Sequence, residues 1–287
     1  MFVITGATGN TGKIAAQTLL AQGKQVRVVV RDAAKAADLK ALGAEVVVAD
    51  LSNKAQAERA FTGACGLYLL SPPDLQSKNA IAERTPWLEA LASAAKTAGV
   101  AHIVFLSSIG AQHADGTGPI KLLHVAERIL SATGLPVTFV RAAYFVDNWG
   151  AVLGAAKQDG VLPSFLPAGH SLPMVSTRDI GQTVAQALLD GPRGRRILEL
   201  SGPSDASPKD VAQGVSGILG RDVQVAEAPL AAVVPTFTSF GMSENVAELF
   251  REMYQGIASG RVAFEGRGTE AVRGKLPLND ALRGMLG

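Results

Sequence analysis

The sequence predicts an α/β fold in which helices cover both faces of a parallel sheet. Three observations support it: short apolar runs alternate with Ala- and Leu-rich segments, glycines follow several of those segments, and the first apolar run leads into a glycine-rich turn. The 287 residues, of which 47% are hydrophobic and 18% charged, are enough to bury a large core. We therefore expect a doubly wound parallel sheet with a second, smaller C-terminal region.

The predicted strands are continuous apolar runs, as strands buried on both faces require. They are FVIT at 2–5, QVRVVV at 25–30, AEVVVA at 44–49, GLYLLS at 66–71, HIVFLS at 102–107 and PVTFVR at 136–141. The predicted helices between them are 11–23, 33–43, 54–61, 79–99 and 118–134. Gly23, Gly43, Gly99 and Gly134 follow four of these helices, which is typical of the left-handed residue that ends a helix.

Composition excludes several other classes of protein. The formal net charge is +2 with scattered Lys and Arg, which argues against nucleic-acid binding. No run approaches the roughly 18 apolar residues of a membrane span, and the first predicted strand leaves no room for a signal peptide, so we expect a cytoplasmic protein without membrane attachment. Cys65 is the single cysteine, so we expect no disulfide, no metal site and a buried, inert thiol.

The sequence ITGATGNTG at 4–12 joins the first predicted strand to the first helix. In such a turn the first glycine permits the reversal, the second lets a pyrophosphate approach the backbone, and the third lets helix and strand pack closely. The helix N-terminus then offers unpaired N–H groups to the phosphates. This predicts a dinucleotide site whose contacts in the turn are Gly6, Thr8, Gly9, Asn10, Thr11 and Gly12.

The glycine spacing and four further segments resemble the NmrA-like family of atypical short-chain dehydrogenase/reductases. The segments are VVVRD at 28–32, LLSPP at 69–73, HIVFLSSIGA at 102–111 and GLPVTFVRAAYFVDNW at 134–149. The resemblance implies a Rossmann fold that binds NAD(P), and it is weakest after residue 200. It is less specific for activity, because the family contains quinone or dye reductases and redox-sensing regulators.

The alternation of strands and helices weakens after about residue 150. GVLPSFLPAGHSLPMVS at 160–176 holds three prolines and two glycines, and only RRILEL at 195–200 is another clear strand. We predict a dinucleotide-binding Rossmann domain over 1–150, to which 174–202 returns, and a smaller substrate-binding region over 203–287 together with 151–173. Apolar residues at helical spacing over 243–258 predict an amphipathic helix.

Arg31 follows Gly12 by 19 residues, near the position where an NAD enzyme places an acidic residue on the ribose. A guanidinium there suits a 2′-phosphate, which in the family meets the arginine ending the second strand. Lys35 lies one turn into the next helix and would add a second charge. We therefore expect NADP(H) rather than NAD(H). Asp32 is either a ribose ligand or the N-cap of the following helix.

Further cofactor contacts are expected where the later strands end, because ligands bind at that edge of an open α/β sheet. The predicted contacts are Asp50, Leu51, Leu70, Ser71, Pro72, Ser107, Ser108, Tyr144 and Phe145. For Asp50 and the two serines the alternative is a structural role, in which they organise turns or cap backbone groups. Asn148 and Trp149 are predicted to line the place of a planar acceptor, although core packing would also explain Phe145 and Trp149.

Most active short-chain dehydrogenases use a Tyr-x-x-x-Lys pair as a proton donor, and none of the three tyrosines here forms one. The lysine that family members carry on the helix after strand 5 aligns near Leu123. Quinone reduction yields a weakly basic phenolate and needs no strong acid, so positioning is the main requirement. His124 is the best candidate proton donor, and the alternative is that it has only a structural role in its helix. Tyr144 is a second candidate catalytic residue.

Two functions fit these observations best, and the remaining possibility is other chemistry on this fold, such as reductive steps on secondary metabolites. The first is an NADPH-dependent reductase of a quinone-like or conjugated hydrophobic acceptor, which acts by hydride transfer. The alternative is a non-catalytic NADP(H)-binding redox sensor that acts through a protein partner. The missing tyrosine–lysine pair favours the sensor, whereas the sequence contains no DNA-reading module or charged tail that supports it.

Overall fold

The structure is a computed structural model that describes all 287 residues, Met1 to Gly287. The strands are β1 (Phe2–Thr5), β2 (Val26–Val30), β3 (Glu45–Val48), β4 (Gly66–Leu69), β5 (Ile103–Ser108), β6 (Val137–Ala142), β7 (Tyr144–Phe145), β8 (Val161–Ser164), β9 (Leu172–Val175), β10 (Arg195–Ser201), β11 (Asp205–Ala206), β12 (Gln224–Glu227) and β13 (Glu270–Arg273).

The helices are α1 (Asn10–Ala21), α2 (Ala37–Ala41), α3 (Lys54–Phe61), α4 (Ala80–Thr97), α5 (Ile120–Ala132), α6 (Leu153–Asp159), α7 (Thr177–Asp190), α8 (Pro208–Leu219), α9 (Val233–Ser239), α10 (Glu244–Ala258) and α11 (Leu278–Leu286). Three short 3₁₀ helices cover Ala33–Ala36, Val146–Val152 and Leu230–Ala232. The predicted helix at 33–43 therefore begins as a 3₁₀ turn, whose N-cap is Asp32.

The main sheet confirms the predicted doubly wound arrangement. It has eight strands in the order β13-β10-β6-β5-β4-β1-β2-β3, and every neighbouring pair is parallel. The strand order reverses direction between β1 and β4, which leaves a crevice at the carboxyl ends of these strands.

Helices cover both faces of the sheet. One face packs against α1, α2 and α7 through a core that includes Leu19, Leu39 and Ile180, and the other against α3, α4 and α5 through a core that includes Phe61 and Leu91. The four glycines predicted to end helices all have positive φ, from +68° to +97°, which confirms those boundaries.

The smaller region has its own apolar core, which includes Trp149, Leu162 and Val215. It contains a two-stranded sheet, β12-β8, and a three-stranded sheet, β11-β9-β7. The predicted amphipathic helix is α10, which Ser243 caps. The elements do not all follow the predicted boundary: β7, within 1–150, joins the three-stranded sheet of the smaller region, and β13, within 203–287, is the edge strand of the main sheet. The β13 sequence EAVR carries no apolar run, so nothing local marks it as part of that sheet.

The expectation of a buried thiol was wrong, because Cys65 is exposed. It lies in the turn between α3 and β4, where its Sγ donates to the Met1 carbonyl oxygen at 3.1 Å. Separately, none of the helices combines the length and the apolar character that crossing a membrane requires.

Candidate functional site

A cavity of about 1050 Å³ follows the carboxyl ends of β1 to β5 and the segment after β6. Its volume slightly exceeds the usual range for ligand pockets, about 300–1,000 Å³. Fifteen predicted site residues line it: Gly6, Thr8, Gly9, Asn10, Thr11, Arg31, Asp50, Leu51, Leu70, Ser71, Pro72, Ser107, Ser108, Phe145 and Asn148. Five others do not: Gly12, Lys35, His124, Tyr144 and Trp149.

The glycine turn forms the floor of the cavity, and its glycines have different roles. Gly6 has φ +59°, a conformation that side chains disfavour, and its carbonyl accepts from the Gly9 N–H at 2.9 Å. A Cβ on Gly12 would lie 2.4 Å from the Gly6 oxygen, so Gly12 packs the helix against the turn from behind. No side chain caps α1 and its first turn holds no acidic residue, so its N–H groups remain available for an anion.

The β2–β3 end of the cavity carries charge. Arg31 and Asp50 both line it, and the carboxylate of Asp50 accepts from the Ser52 N–H at 2.9 Å. The Ser52 hydrogen bonds, helped by the nearby Arg31 charge, lower the pKa of Asp50. Lys35 is exposed and lies outside the cavity. Asp32 accepts from the Ala34 N–H at 3.0 Å, so it acts as a helix cap.

Ser71 lies beside the glycine turn, after β4, and its hydroxyl oxygen is shielded from solvent without a hydrogen-bond partner. An unpaired buried hydroxyl is unfavourable unless a ligand satisfies it. The site therefore combines an unpaired Ser71 hydroxyl, the exposed backbone of the glycine turn and the Arg31 guanidinium at one end. These groups fit a phosphate-bearing dinucleotide.

The opposite end of the cavity is formed by the ends of β5 and β6. Ser107, Ser108, Phe145 and Asn148 line it, as do Leu106, Leu123, Asp147 and Thr177. The carboxylate of Asp147 accepts from the Thr177 hydroxyl at 2.5 Å and from its N–H at 2.9 Å, which ties this loop to the start of α7. Apolar walls with a few fixed polar groups are typical of small-molecule sites.

Fourteen lining residues were not predicted: Thr5, Val29, Val30, Ala49, Ser52, Pro73, Asp74, Leu75, Arg84, Trp87, Leu106, Leu123, Asp147 and Thr177. Several of them adjoin predicted residues, and the strand-end argument would have found those. Arg84 and Trp87 belong to α4, where the guanidinium lies 4.8 Å from the ring centroid, and no pattern in the sequence points to them. Thr177 comes from the segment in which the alternation of elements is lost.

Tyr144 and Trp149 lie in the smaller region rather than in the cavity. Their ring centroids are 6.1 Å apart, and Trp149 is only 4% exposed. Tyr144 and Phe145 form β7, which pairs with β9, so their side chains point to opposite faces of that strand. Phe145 therefore faces the cavity while Tyr144 packs against the other core.

His124 lines a different cavity, of about 420 Å³, together with Glu127, Arg128 and Arg141. Its Nδ1 lies 2.9 Å from the Ala111 carbonyl oxygen. The preceding residue of α5, Leu123, lines the main cavity instead, because successive residues of a helix point in different directions.

Comparison with known proteins identifies the family. The NmrA-like family model matches residues 1–263. The chain belongs to the NmrA-like family. It is 27% identical over 255 residues to NAD(P)H azoreductase of Xenophilus azovorans, and this alignment covers 88% of this chain and 86% of that protein. It is 28% identical over 266 residues to quinone oxidoreductase 2 of Escherichia coli strain K12, with 91% and 89% covered.

Solved structures share the fold of this NmrA-like chain. An NADPH-dependent quinone oxidoreductase from Escherichia coli, complexed with NADPH, superposes over 100% of both chains with a TM-score of 0.82 and 24% identity. The Citrobacter sp. triphenylmethane reductase complexed with NADP(H) superposes with a TM-score of 0.81 and 23% identity, over 99% of this chain and all of the other.

The three tyrosines of this NmrA-like chain all have a raised pKa. Burial raises the pKa of Tyr68, which lies beneath the glycine turn and hydrogen-bonds Thr11 at 2.9 Å. Burial and the neighbouring Tyr254 raise the pKa of Tyr144 well above its ordinary value, and burial also raises that of Tyr254. The aliphatic Leu123, on α5, lines the cavity.

Proposed function

We propose that this protein is an NADPH-dependent reductase of quinone-like or conjugated dye acceptors. The observation that carries the proposal is the single continuous cavity, which runs from Arg31 over the glycine turn to Phe145 and Asn148. A dinucleotide laid across a Rossmann sheet follows this path, with its adenosine over β2 and its nicotinamide beyond β4. The remaining space at the β5–β6 end is available to an acceptor.

The relatives support the reaction class. The two curated relatives described above are an azoreductase and a quinone oxidoreductase, and each aligns with most of this chain. Their acceptors are planar and conjugated, which suits the apolar wall formed here by Leu106, Leu123 and Phe145.

The preference for NADPH is supported by Arg31. Its guanidinium lines the cavity, is exposed and takes part in none of the ion pairs of the protein, so its donors remain free for a phosphate. Asp50, which would suit a ribose hydroxyl, lies at the same end but is already bound to the Ser52 turn.

Catalysis in this proposal depends on positioning. The reduced nicotinamide, when bound, supplies the hydride. The chain holds the reactants together at the β5–β6 end, and proximity of this kind is a large part of many rate enhancements. No tyrosine has a lowered pKa, which favours acceptors whose reduced form is weakly basic, and we expect no efficient reduction of simple ketones.

The experiment that tests the proposal is a measurement of NADPH oxidation by the purified protein with quinones, azo dyes and triphenylmethane dyes, with simple ketones and secondary alcohols as the comparison set. We expect turnover of the conjugated acceptors and none of the ketones or alcohols. Tight NADPH binding without turnover of any acceptor would contradict the reductase and favour a redox sensor. Efficient ketone reduction would instead overturn the mechanism based on positioning.

A further inference from the structure

A buried ion pair lies directly behind Ser107, at the β5 end of the cavity. The Ser107 Oγ is 2.6 Å from Glu127 Oε1, and Arg141 donates through Nε to the same oxygen at 2.9 Å and through Nη2 to Oε2 at 2.7 Å. Ser107, Glu127 and Arg141 are only 2%, 5% and 2% exposed. These groups form the wall between the two cavities, since Ser107 lines one while Glu127 and Arg141 line the other.

Arg141 also binds a second carboxylate, that of Glu265. The remaining Arg141 nitrogen, Nη1, donates to Glu265 Oε2 at 2.7 Å, and the Glu265 N–H donates to the buried Glu199 carboxylate at 2.7 Å. The guanidinium therefore meets a carboxylate through each of its three nitrogens. A network that is satisfied in this way fixes side-chain positions more firmly than a single hydrogen bond does.

The direction of the hydrogen bond at Ser107 follows from these contacts. Glu127 accepts two charged hydrogen bonds from Arg141, as an ionised carboxylate does, and an ionised carboxylate has no hydrogen to donate. The single hydroxyl hydrogen of Ser107 is therefore used by Glu127. Only lone pairs of Ser107 Oγ remain for the cavity.

We propose that Glu127 and Arg141 fix Ser107 as a hydrogen-bond acceptor, so that the ligand group meeting it is an N–H or O–H donor. Ser107 consequently does not donate to a carbonyl oxygen of the acceptor. Glu127 and Arg141 are positioning residues, because they act on the ligand only through Ser107. The neighbouring Ser108 lacks such support, since its hydroxyl donates to the Ile109 carbonyl at 3.1 Å.

The donor that fits first is the carboxamide N–H of the nicotinamide ring, an assignment that depends on the proposed function. Ser107 lies at the end of β5, where the nicotinamide half of the cofactor is expected, and a carboxamide presents two N–H groups. A hydroxyl or amino group on the acceptor has the same chemistry. The two sources are distinguishable, because one belongs to the cofactor and the other to the acceptor.

The test compares NADP⁺ with its 3-acetylpyridine analogue, in which a methyl ketone replaces the carboxamide and removes the N–H donor. Calorimetry on the full-length protein gives the ratio of the two affinities for wild type, Ser107→Ala and Glu127→Gln. The matched control is Glu270→Gln, because Glu270 also binds an arginine through both oxygens, each at 2.8 Å from Arg196, but contacts no cavity residue. General damage to the fold lowers both affinities and leaves their ratio unchanged.

We expect Ser107→Ala to reduce the preference for the carboxamide about fivefold, the loss of one neutral hydrogen bond. Glu127→Gln should also reduce it: with the amide oxygen on Arg141 Nη2, the amide NH2 donates to Ser107 Oγ, and the Ser107 hydroxyl then turns toward the cavity and donates to the ketone of the analogue. Glu127→Asp, which keeps the charge but shortens the reach to Ser107, replaces it if Glu127→Gln does not fold. Glu270→Gln should keep the wild-type ratio.

Each outcome decides between the alternatives. One outcome is that Ser107→Ala leaves the ratio of the two cofactor affinities unchanged and raises KM only for electron acceptors that carry a hydroxyl or amino group. In that case the hydrogen-bond donor belongs to the electron acceptor, and Ser107 still accepts the hydrogen bond. The inference is overturned if Ser107→Ala changes neither the ratio of the two cofactor affinities nor the KM for the acceptor. It is also overturned if Ser107→Ala shifts the affinity ratio but the Glu127 variants do not. Wild-type protein that binds neither dinucleotide overturns the proposed function together with the inference, whereas failure of the inference alone leaves both dinucleotides bound.

Discussion

The two ends of the cavity are built by different physical means. At the glycine turn the absence of side chains exposes backbone N–H groups, and the nine residues responsible are consecutive in the chain. At the end of β5 a buried ion pair positions a serine, and its three residues lie 14 and 20 positions apart. A backbone site is therefore specified locally, whereas a charged support depends on the whole fold to shield and pair its charges.

The largest expected effect is the loss of stability when the buried ion pair behind Ser107 is broken. Glu127→Ala leaves Arg141 buried without its main partner, and removal of one member of a buried pair costs about 3–5 kcal/mol of unfolding free energy. Glu270→Ala breaks the corresponding pair with Arg196, but the Glu270 side chain is 53% exposed, so its loss should stay below about 1 kcal/mol. Urea denaturation measures both, and equal losses would contradict the distinction between buried and exposed pairs.

The second prediction concerns the backbone site. Gly9→Val should leave the fold intact, because a Cβ there approaches the Gly6 oxygen only to 3.4 Å, but the branched side chain would occupy the path of the pyrophosphate. We expect NADPH affinity to fall by at least about 100-fold, or near 2.7 kcal/mol. Calorimetry with circular dichroism as the control for folding checks this. Unchanged affinity in a folded variant would remove the turn from the cofactor site.

The third prediction concerns the choice between NADPH and NADH at the Arg31 end of the cavity. Arg31→Ala should weaken NADPH by about 2 kcal/mol, as expected for losing charge-assisted hydrogen bonds to a phosphate, and should hardly change NADH. Lys40→Ala, which removes an exposed charge from α2, is the matched control. The ratio of the two affinities is the observable. Parallel losses for both cofactors would show that Arg31 has a structural role.

The smallest expected effect is at His124. Because its ring lies outside the main cavity and contacts the Ala111 carbonyl, His124→Ala should lower the quinone reductase rate by less than about tenfold, well short of the roughly 10²–10⁴-fold loss of a general acid. Asn148→Ala, in the cavity wall, should lower it more. Steady-state rates of both variants provide the test, and a larger loss at His124 would place proton donation back on α5.

The local sequence pattern predicted seven of the eight strands of the main sheet, the covering helices α1 to α5 and the phosphate turn, but neither β13 nor α7. Continuous apolar runs form strands because both faces of a parallel sheet are buried, and glycines end helices because they adopt positive φ without strain. The cavity contacts near Arg31, Asp50 and Ser71 followed from a topological rule, since the carboxyl ends of parallel strands share one edge.

The packing of the elements sets which neighbouring residues face the cavity and which groups support it. Tyr144 and Phe145 are adjacent, but pairing of β7 with β9 sends them to opposite sides, and the rotation of α5 directs Leu123 and His124 to different cavities. The Glu127–Arg141 pair behind Ser107 and the bond between Asp147 and Thr177 join separate elements. Local periodicity carries no information about such partners, because the distance between side chains distant in sequence is set by how the elements pack.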